Sequence, residues 1–214
     1  MLLLCDLDDT LVDRAGAFAA WAAGFVEAWG LPPEATGWLV ELDEDGYRPR
    51  SDLFARVRDH FGLAVAAVEL QRDFYRVFAG LFRRDAAVEE ALDRVRAAGW
   101  RIAVVSNGSP AQEEKILAAG LDRLVDTWCI SGVEGVRKPD PRLLEVAAAR
   151  CGMPLETGWV VGDAPFADIG AARAAGLPSV WVTRGRAWPR ADYAPTFEAA
   201  TFPAAVDIVL RTEP

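Results

Sequence analysis

The chain has 214 residues, 52% of them hydrophobic and 26% charged, which excludes a disordered chain and allows one compact domain with a sizeable insertion, or two small ones. A net charge of −9 without any basic cluster argues against nucleic acid or an anionic membrane as partner, although a local site could still take an anionic substrate. No apolar run approaches the ~20 residues of a membrane span and no basic segment with a cleavage site opens the chain, so a cytoplasmic protein without a signal peptide is expected.

The apolar run Leu2-Leu3-Leu4-Cys5 predicts a buried strand. It leads directly into Asp6-Leu7-Asp8-Asp9-Thr10-Leu11. Residues two apart in an extended chain point to the same side, so Asp6 and Asp8 would present two carboxylates together at a strand end. Burying both uncompensated costs several kcal/mol or more, on the order set by charge desolvation. A divalent cation would offset that cost, or one carboxyl would stay protonated and act as an acid.

A helical stretch follows. Ala15 to Trp29 is alanine-rich and stops at Gly30-Leu31-Pro32-Pro33. A short helix is expected over Glu34 to Leu42, then a loop at Gly46-Tyr47-Arg48-Pro49-Arg50. Ser51 is expected to cap the next helix, which ends at Gly62. A further helix runs from Ala66 to Phe82, with Phe74, Phe78, Leu81 and Phe82 at helical spacing. Trp21, Trp29 and Trp38 read as core of this helical block, with a pocket lining as the other reading. The one histidine, His60, lies near a helix end, where a cationic group suits the dipole, and it excludes any histidine-cluster metal site. Cys5, Cys129 and Cys151 lack metal-ligand spacing and read as reduced, structural thiols.

From Asp85 the pattern changes to alternation. Helices are expected over Asp85 to Ala98, Pro110 to Ala119, Pro141 to Cys151 and up to Gly176. Strands are expected at Arg101 to Val105, Thr127 to Ile130, Trp159 to Val161 and Ser179 to Val182. This predicts an α/β fold with a parallel sheet covered on both faces. Ala204 to Leu210 fits either a helix or a strand. Ligands of open α/β sheets bind beyond the carboxyl ends of the strands. The helical block enters immediately after the first strand end, so it is expected over that site as a lid.

Three later segments carry residues suited to chemistry. Ser106-Asn107-Gly108, followed by Ser109-Pro110, combines small residues with helix-start signals and could hold an anion, or be an ordinary turn. Lys138 precedes Pro139, which keeps it out of a helix; it could balance clustered carboxylates, or be a solvated surface lysine. Gly162-Asp163 ends a strand and Asp168 falls in the first turn of the next helix, where a carboxylate serves either a cation or the helix dipole.

Together, Asp6-x-Asp8-x-Thr10, Ser106-Asn107, Lys138, and Gly162-Asp163 with Asp168 five residues on resemble, in order, the motifs of the haloacid dehalogenase (HAD) superfamily. The resemblance covers nearly the whole chain. Its helical insertion is similar to that of the branch containing haloacid dehalogenases, phosphoglycolate phosphatases and β-phosphoglucomutase. It implies a Rossmann-like α/β core over residues 1–13 and 84–214 and a helical cap over 14–83, joined near Asp13 and Arg84. It also implies Asp6 as a nucleophile forming an aspartyl phosphate, and Asp8 as the acid that protonates the leaving oxygen and then the base for water. Asp6, the main-chain carbonyl of Asp8, and Asp163 would hold Mg2+. Ser106 and the N–H groups of Leu7 and Asn107 would hold phosphoryl oxygens. Lys138 would neutralise Asp6 and the phosphate, with Asp168 supporting it and Thr10 stabilising the loop around Asp8.

The expected activity is Mg2+-dependent hydrolysis of a small phosphorylated metabolite. Asp8 argues against the dehalogenase branch, which lacks the second aspartate and the metal. A phosphomutase and a catalytically idle binding domain are the alternatives. Arg48 and Arg50, in the loop of the helical block, are candidates for reading a substrate carboxylate or second phosphate.

Overall fold

Leu2–Cys5 forms strand β1 with all four side chains buried, as an apolar run without alternation requires when both faces of a strand are covered. The structure, a computed structural model, describes residues 1–82 and 85–212. The chain divides into two compact units, Met1–Val12 with Arg84–Pro214, and Asp13–Arg83. The junction expected near Arg84 lies outside the described residues.

The second unit is all-helical. It holds α1 (Arg14–Ala28), α2 (Ala35–Asp43), α3 (Arg50–Phe61) and α4 (Ala67–Phe78), the last followed by a single tight turn at Ala79–Leu81. Alanines favour α1, and Asp13 caps it by accepting from the Gly16 N–H at 2.8 Å. Gly30, at φ 59°, ends it, and the Leu31 N–H returns to the Val26 carbonyl at 2.9 Å. The centre is aromatic. Trp21 meets Phe74 edge-on at 4.9 Å between centroids, and Phe74 stacks on Phe78 at 4.3 Å. His60 stacks on Trp38 at 4.1 Å. Trp29 departs from the core reading: it is 38% exposed, because it follows the last turn of α1. Ser51 also departs from expectation. The helix already begins at Arg50, Pro49 takes the cap position, and Ser51 sits inside the first turn.

Asp43 is buried here and binds two arginines, Arg14 through Oδ2 and Arg50 through Oδ1, while Oδ2 also accepts from the Gly46 N–H at 2.9 Å. The Arg50 guanidinium lies 5.5 Å from the Phe18 ring and 5.3 Å from that of Phe74.

The first unit continues with α5 (Ala86–Ala97), β2 (Arg101–Ser106), α6 (Gln112–Ala118), β3 (Thr127–Ile130), α7 (Ser131–Glu134), α8 (Arg142–Arg150) and β4 (Gly158–Gly162). A wide turn at Pro165–Ile169, α9 (Gly170–Ala175), β5 (Ser179–Val182), β6 (Phe197–Ala199) and α10 (Phe202–Thr212) complete it. The sheet is Rossmann-like: six parallel strands in the order β3-β2-β1-β4-β5-β6. Leu143, Leu144, Ala147 and Ala148 of α8, with Ala171 and Ala172 of α9, pack on the face bearing Leu2, Leu4, Ala103 and Val160. The helices α5 and α10 pack together and against the strands with their own buried faces, Leu92, Val95, Val206 and Val209 among them. The tail resolves as a helix, preceded by a strand absent from the sequence reading. Strand β6 has three residues at the sheet edge and buries only Ala199, so it carries no apolar run to read.

Two features of the sheet place the site. Strand order reverses at β1, whose neighbours are β2 and β4, so a crevice opens at their carboxyl ends. Cys5 is in register with both Val104 and Val161, so the three strands deliver their following residues at one level.

Asp43→Ala removes the carboxylate shared by Arg14 and Arg50, leaving buried cationic charge behind. The expected loss is about 3–5 kcal/mol, read as a lower urea midpoint. An unchanged midpoint would show that these ion pairs contribute nothing net.

Candidate active site

Lys138 reaches the crevice from the loop between α7 and α8 and is 3% exposed. Its Nζ donates to Asp6 Oδ1 at 2.7 Å, to Asp168 Oδ1 at 2.6 Å and to the carbonyl of Val105. One ammonium thus ties the ends of β1 and β2 to the turn after β4. Asn107 holds this loop with its side-chain amide: Nδ2 donates to the Lys138 carbonyl and Oδ1 accepts from the Lys138 N–H, each at 2.9 Å. The resemblance implies only the main-chain N–H of Asn107 as a site group; this double clamp by its side chain leaves no signal in the sequence.

Asp168 is 1% exposed. Its Oδ2 accepts from the Ala164 N–H at 2.9 Å, while Oδ1 takes Lys138. The turn carrying it, Pro165–Ile169, is wider than an α-turn, a geometry common at functional sites. Gly162 makes room: a Cβ there would lie 2.2 Å from Asp168 Oδ2.

Asp8 belongs to the loop after β1, whose main chain is pinned by the Leu7 carbonyl, acceptor for the N–H groups of Leu11 at 2.9 Å and Val12 at 3.1 Å. Asp9 takes φ 59° in this turn. Lys115 Nζ lies 2.8 Å from Asp8 Oδ1 and 2.7 Å from Oδ2. Gln112 Nε2 donates to Asp8 Oδ2 and to Ser106 Oγ, both at 2.8 Å. Asp8 and Ser106 are therefore joined through one amide. Thr10 is buried, and its hydroxyl has no hydrogen-bond partner among the described residues. The role expected of it in bracing the Asp8 loop is instead met by main-chain bonds.

Asp163, at the end of β4, faces two arginines from the segment after β5. Its Oδ2 is 3.1 Å from Arg184 Nη1 and 2.9 Å from Arg186 Nη2, and its carbonyl accepts from Trp181 Nε1 at 2.8 Å. Arg184 also reaches Asp9 Oδ2 at 3.2 Å. None of Gln112, Lys115, Arg184 or Arg186 was read from the sequence as a site residue.

Carboxylate oxygens of Asp6, Asp163 and Asp168 lie within 4.8 Å of one another. Burial pushes the Asp6 carboxyl well above the usual range; the Lys138 ammonium opposes this, and Asp168 and Asp163 add to it. Asp163 is raised from 3.8 to about 6, by burial first and then by Asp168, against Arg186 and Arg184. Burial works against the Lys138 ammonium, yet Asp168 and Asp6 outweigh it and hold the group above the usual lysine value. Lys138 pairs with Asp6 and Asp168, and Arg184 and Arg186 pair with Asp163, so each carboxylate of the cluster has a cationic neighbour. Three convergent hard oxygen donors nevertheless fit a divalent cation such as Mg2+. Both Asp168 oxygens already accept hydrogen bonds, so Asp6 and Asp163 are the better donors.

Arg48 and Arg50 do not match the substrate reading. Arg48 donates to the Leu42 carbonyl at 2.6 Å and pairs with Asp52 and Glu44. Arg50 is committed to Asp43. Both guanidinium groups brace the helical unit through Asp43, Glu44, Asp52 and the Leu42 carbonyl. Among the described residues, no helix is long and apolar enough to cross a membrane.

The raised Asp163 pKa means that the folded protein binds this proton more tightly than the unfolded chain does. The stability it confers is complete below about pH 4 and is lost as pH rises through about 6. With chelator present, Asp163→Asn should therefore match wild type near pH 4 and exceed it by about 1–3 kcal/mol at pH 7 in urea unfolding. A variant weaker than wild type at pH 7 would show that the pairs with Arg184 and Arg186 outweigh burial.

Comparison with known proteins agrees with this geometry. The phosphoserine phosphatase of Thermus thermophilus is 39% identical over 126 residues, covering 57% of this chain and 51% of that protein, so the chain spans about half of that relative's length. The plasmid-borne phosphoglycolate phosphatase of Cupriavidus necator is 31% identical over 194 residues, covering 87% of this chain and 82% of that protein. Among solved structures, the Bacillus subtilis HAD-hydrolase YfnB, bound to magnesium, superposes with a TM-score of 0.79 at 19% identity, covering 99% of this chain and 97% of that one. The family profile described as haloacid dehalogenase-like hydrolase matches residues 1–176, and the chain belongs to that enzyme superfamily.

Proposed function

We propose that this protein is a Mg2+-dependent phosphatase that hydrolyses a small phosphate monoester through an aspartyl phosphate on Asp6. The observation that carries this reading is the convergence of Asp6, Lys138, Asp163 and Asp168 at the carboxyl ends of adjacent strands, with Asp8 two residues beyond Asp6.

Asp6 is the nucleophile. Its oxygen forms a bond to phosphorus as the ester bond breaks, and Asp8 gives its proton to the leaving oxygen. Asp8 then takes a proton from water as that water attacks phosphorus and the Asp6 carboxylate departs. Lys138 holds Asp6 in place and offsets negative charge as it builds. Asp168 keeps the ammonium aimed at Asp6. Ser106 and the N–H groups of Leu7 and Asn107 bind the phosphoryl oxygens. Asp6, Asp163 and the Asp8 carbonyl would hold Mg2+, which supplies charge neutralisation for a dianionic phosphate. The helical unit, inserted right after the Asp8 loop, is read as the cap of this fold. A cytoplasmic setting is in keeping with three free cysteines, two of them buried.

Matched relatives are named for phosphoserine, phosphoglycolate and glyceraldehyde 3-phosphate, all small phosphate esters, so these three head the substrate list. Phosphate release from a panel of phosphorylated metabolites should require Mg2+, vanish in chelator, and be poorly supported by Ca2+. Asp6→Asn should retain its far-UV spectrum and lose activity by on the order of 10³-fold or more. Undiminished turnover in chelator, or by that variant, would sink the reading.

A further inference from the structure

We propose that Lys115 and Gln112 are positioning residues that aim the Asp8 carboxyl at the leaving oxygen. The proposal rests on the phosphatase reading and adds to it two residues of α6 outside the motif set.

Three observations carry it. Lys115 and Gln112 are three residues apart and so share one face of α6, while Glu113 and Glu114 between them are exposed. A lysine on a short surface helix ordinarily extends into water beside such glutamates. Here its side chain is 12% exposed and grips both oxygens of Asp8, at 2.8 and 2.7 Å. Immobilising and desolvating an ammonium costs free energy that an exposed alternative would avoid.

Gln112 is 6% exposed and spans the crevice between Asp8 and Ser106. Its path depends on Gly108, where a Cβ would lie 2.5 Å from Gln112 Cγ. Asp8 Oδ2 accepts from both Gln112 and Lys115, and Oδ1 from Lys115. Both carboxyl oxygens of Asp8 are thereby held in a fixed orientation.

The need for such an anchor is physical. The Asp8 side chain is 26% exposed, so without partners its carboxyl would sample several rotamers. A misplacement of about 1 Å at a reacting group costs on the order of 10²-fold in rate. In the first step the proton leaves Asp8 for the ester oxygen while the bond from that oxygen to phosphorus breaks and the Asp6 oxygen binds phosphorus. In the second, Asp8 takes a proton from the attacking water, and phosphate and the Asp6 carboxylate are released.

The test compares esters that differ in their need for a proton. An alkyl phosphate leaves as a strongly basic alkoxide unless it is protonated; dinitrophenyl phosphate leaves unaided. First-turnover release of the leaving group is measured by rapid quench for wild type, Lys115→Met, Lys115→Arg and Gln112→Leu, with folding checked by urea unfolding. Lys115→Met should lose about 10–100-fold on the alkyl ester and at least tenfold less than that on the aryl ester, within the range of general-acid contributions. Lys115→Arg should recover part of the loss, and Gln112→Leu should show the same ester dependence more weakly. Equal losses on both esters in folded variants, or none on either, overturn the proposal while leaving the phosphatase reading intact. If Lys115→Met does not fold, the Arg and Gln112→Leu variants decide by the same comparison. A wild type that releases neither leaving group overturns the phosphatase reading and this proposal with it.

Discussion

The charge on Lys138 is the constraint around which the core is arranged. A fully buried ammonium is tolerable only with counter-charge and complete hydrogen bonding. Asp6, Asp168 and the Val105 carbonyl supply both. Each comes from a different part of the sheet, so the ion pairs hold the strand ends in a fixed relation. The Asn107 amide completes the arrangement by fixing the main chain of the lysine itself. Removing the lysine would therefore disturb position as well as charge.

The parallel sheet explains why this cluster can form at all. Parallel strands need crossovers, and each crossover starts from a short loop at the carboxyl edge. Register at Cys5, Val104 and Val161 brings the residues after β1, β2 and β4 to one level. The chain order reverses at β1, so no helix fills the space above it. Polar side chains gathered there are shielded on the flanks by α8 and α9 on one face and α5 and α10 on the other. Asp6, Lys138 and Asp168 are enclosed there, so small displacements of charge among them have large energetic effects.

Much of this was legible because the strands are plain apolar runs. Strands β1, β3 and β5 match their expected limits, β2 is one residue longer at its end and β4 one residue longer at each end. Motif residues could then be read as those that follow each strand. The contacts that escaped reading come from elements without such a marker. Gln112 and Lys115 look like any polar residues of a surface helix; only the fold brings them to Asp8, more than a hundred residues away in sequence. Arg184 and Arg186 lie in an irregular segment, where composition says nothing about direction. Arg48 and Arg50 show the opposite error. Their loop position suggested solvent and ligand, but Asp43, Asp52 and Glu44 are near enough in sequence to take them first. A cation four to seven residues from acidic groups is better read as locally paired than as substrate-binding.

Counter-charge also bears on how the site could accept a phosphate. Asp6, Asp8, Asp9, Asp163 and Asp168 face Lys115, Lys138, Arg184 and Arg186, five acidic groups against four basic ones. A dianionic ester approaching this set meets a small negative excess. Under the proposed reading, a divalent cation held by Asp6 and Asp163 reverses the sign and makes the crevice attractive. The arginines then have a physical purpose before that happens. Burial and Asp168 push the Asp163 carboxyl up while Arg186 and Arg184 pull it down, the balance lying at about 6, so two partly exposed guanidinium groups help keep it ionised at neutral pH without sealing it from a competing cation. Lysines 115 and 138 are more deeply enclosed and grip groups assigned to the proton and the covalent bond. Burial thus separates the four basic residues into two enclosed positions, beside Asp8 and Asp6, and two more exposed ones beside Asp163.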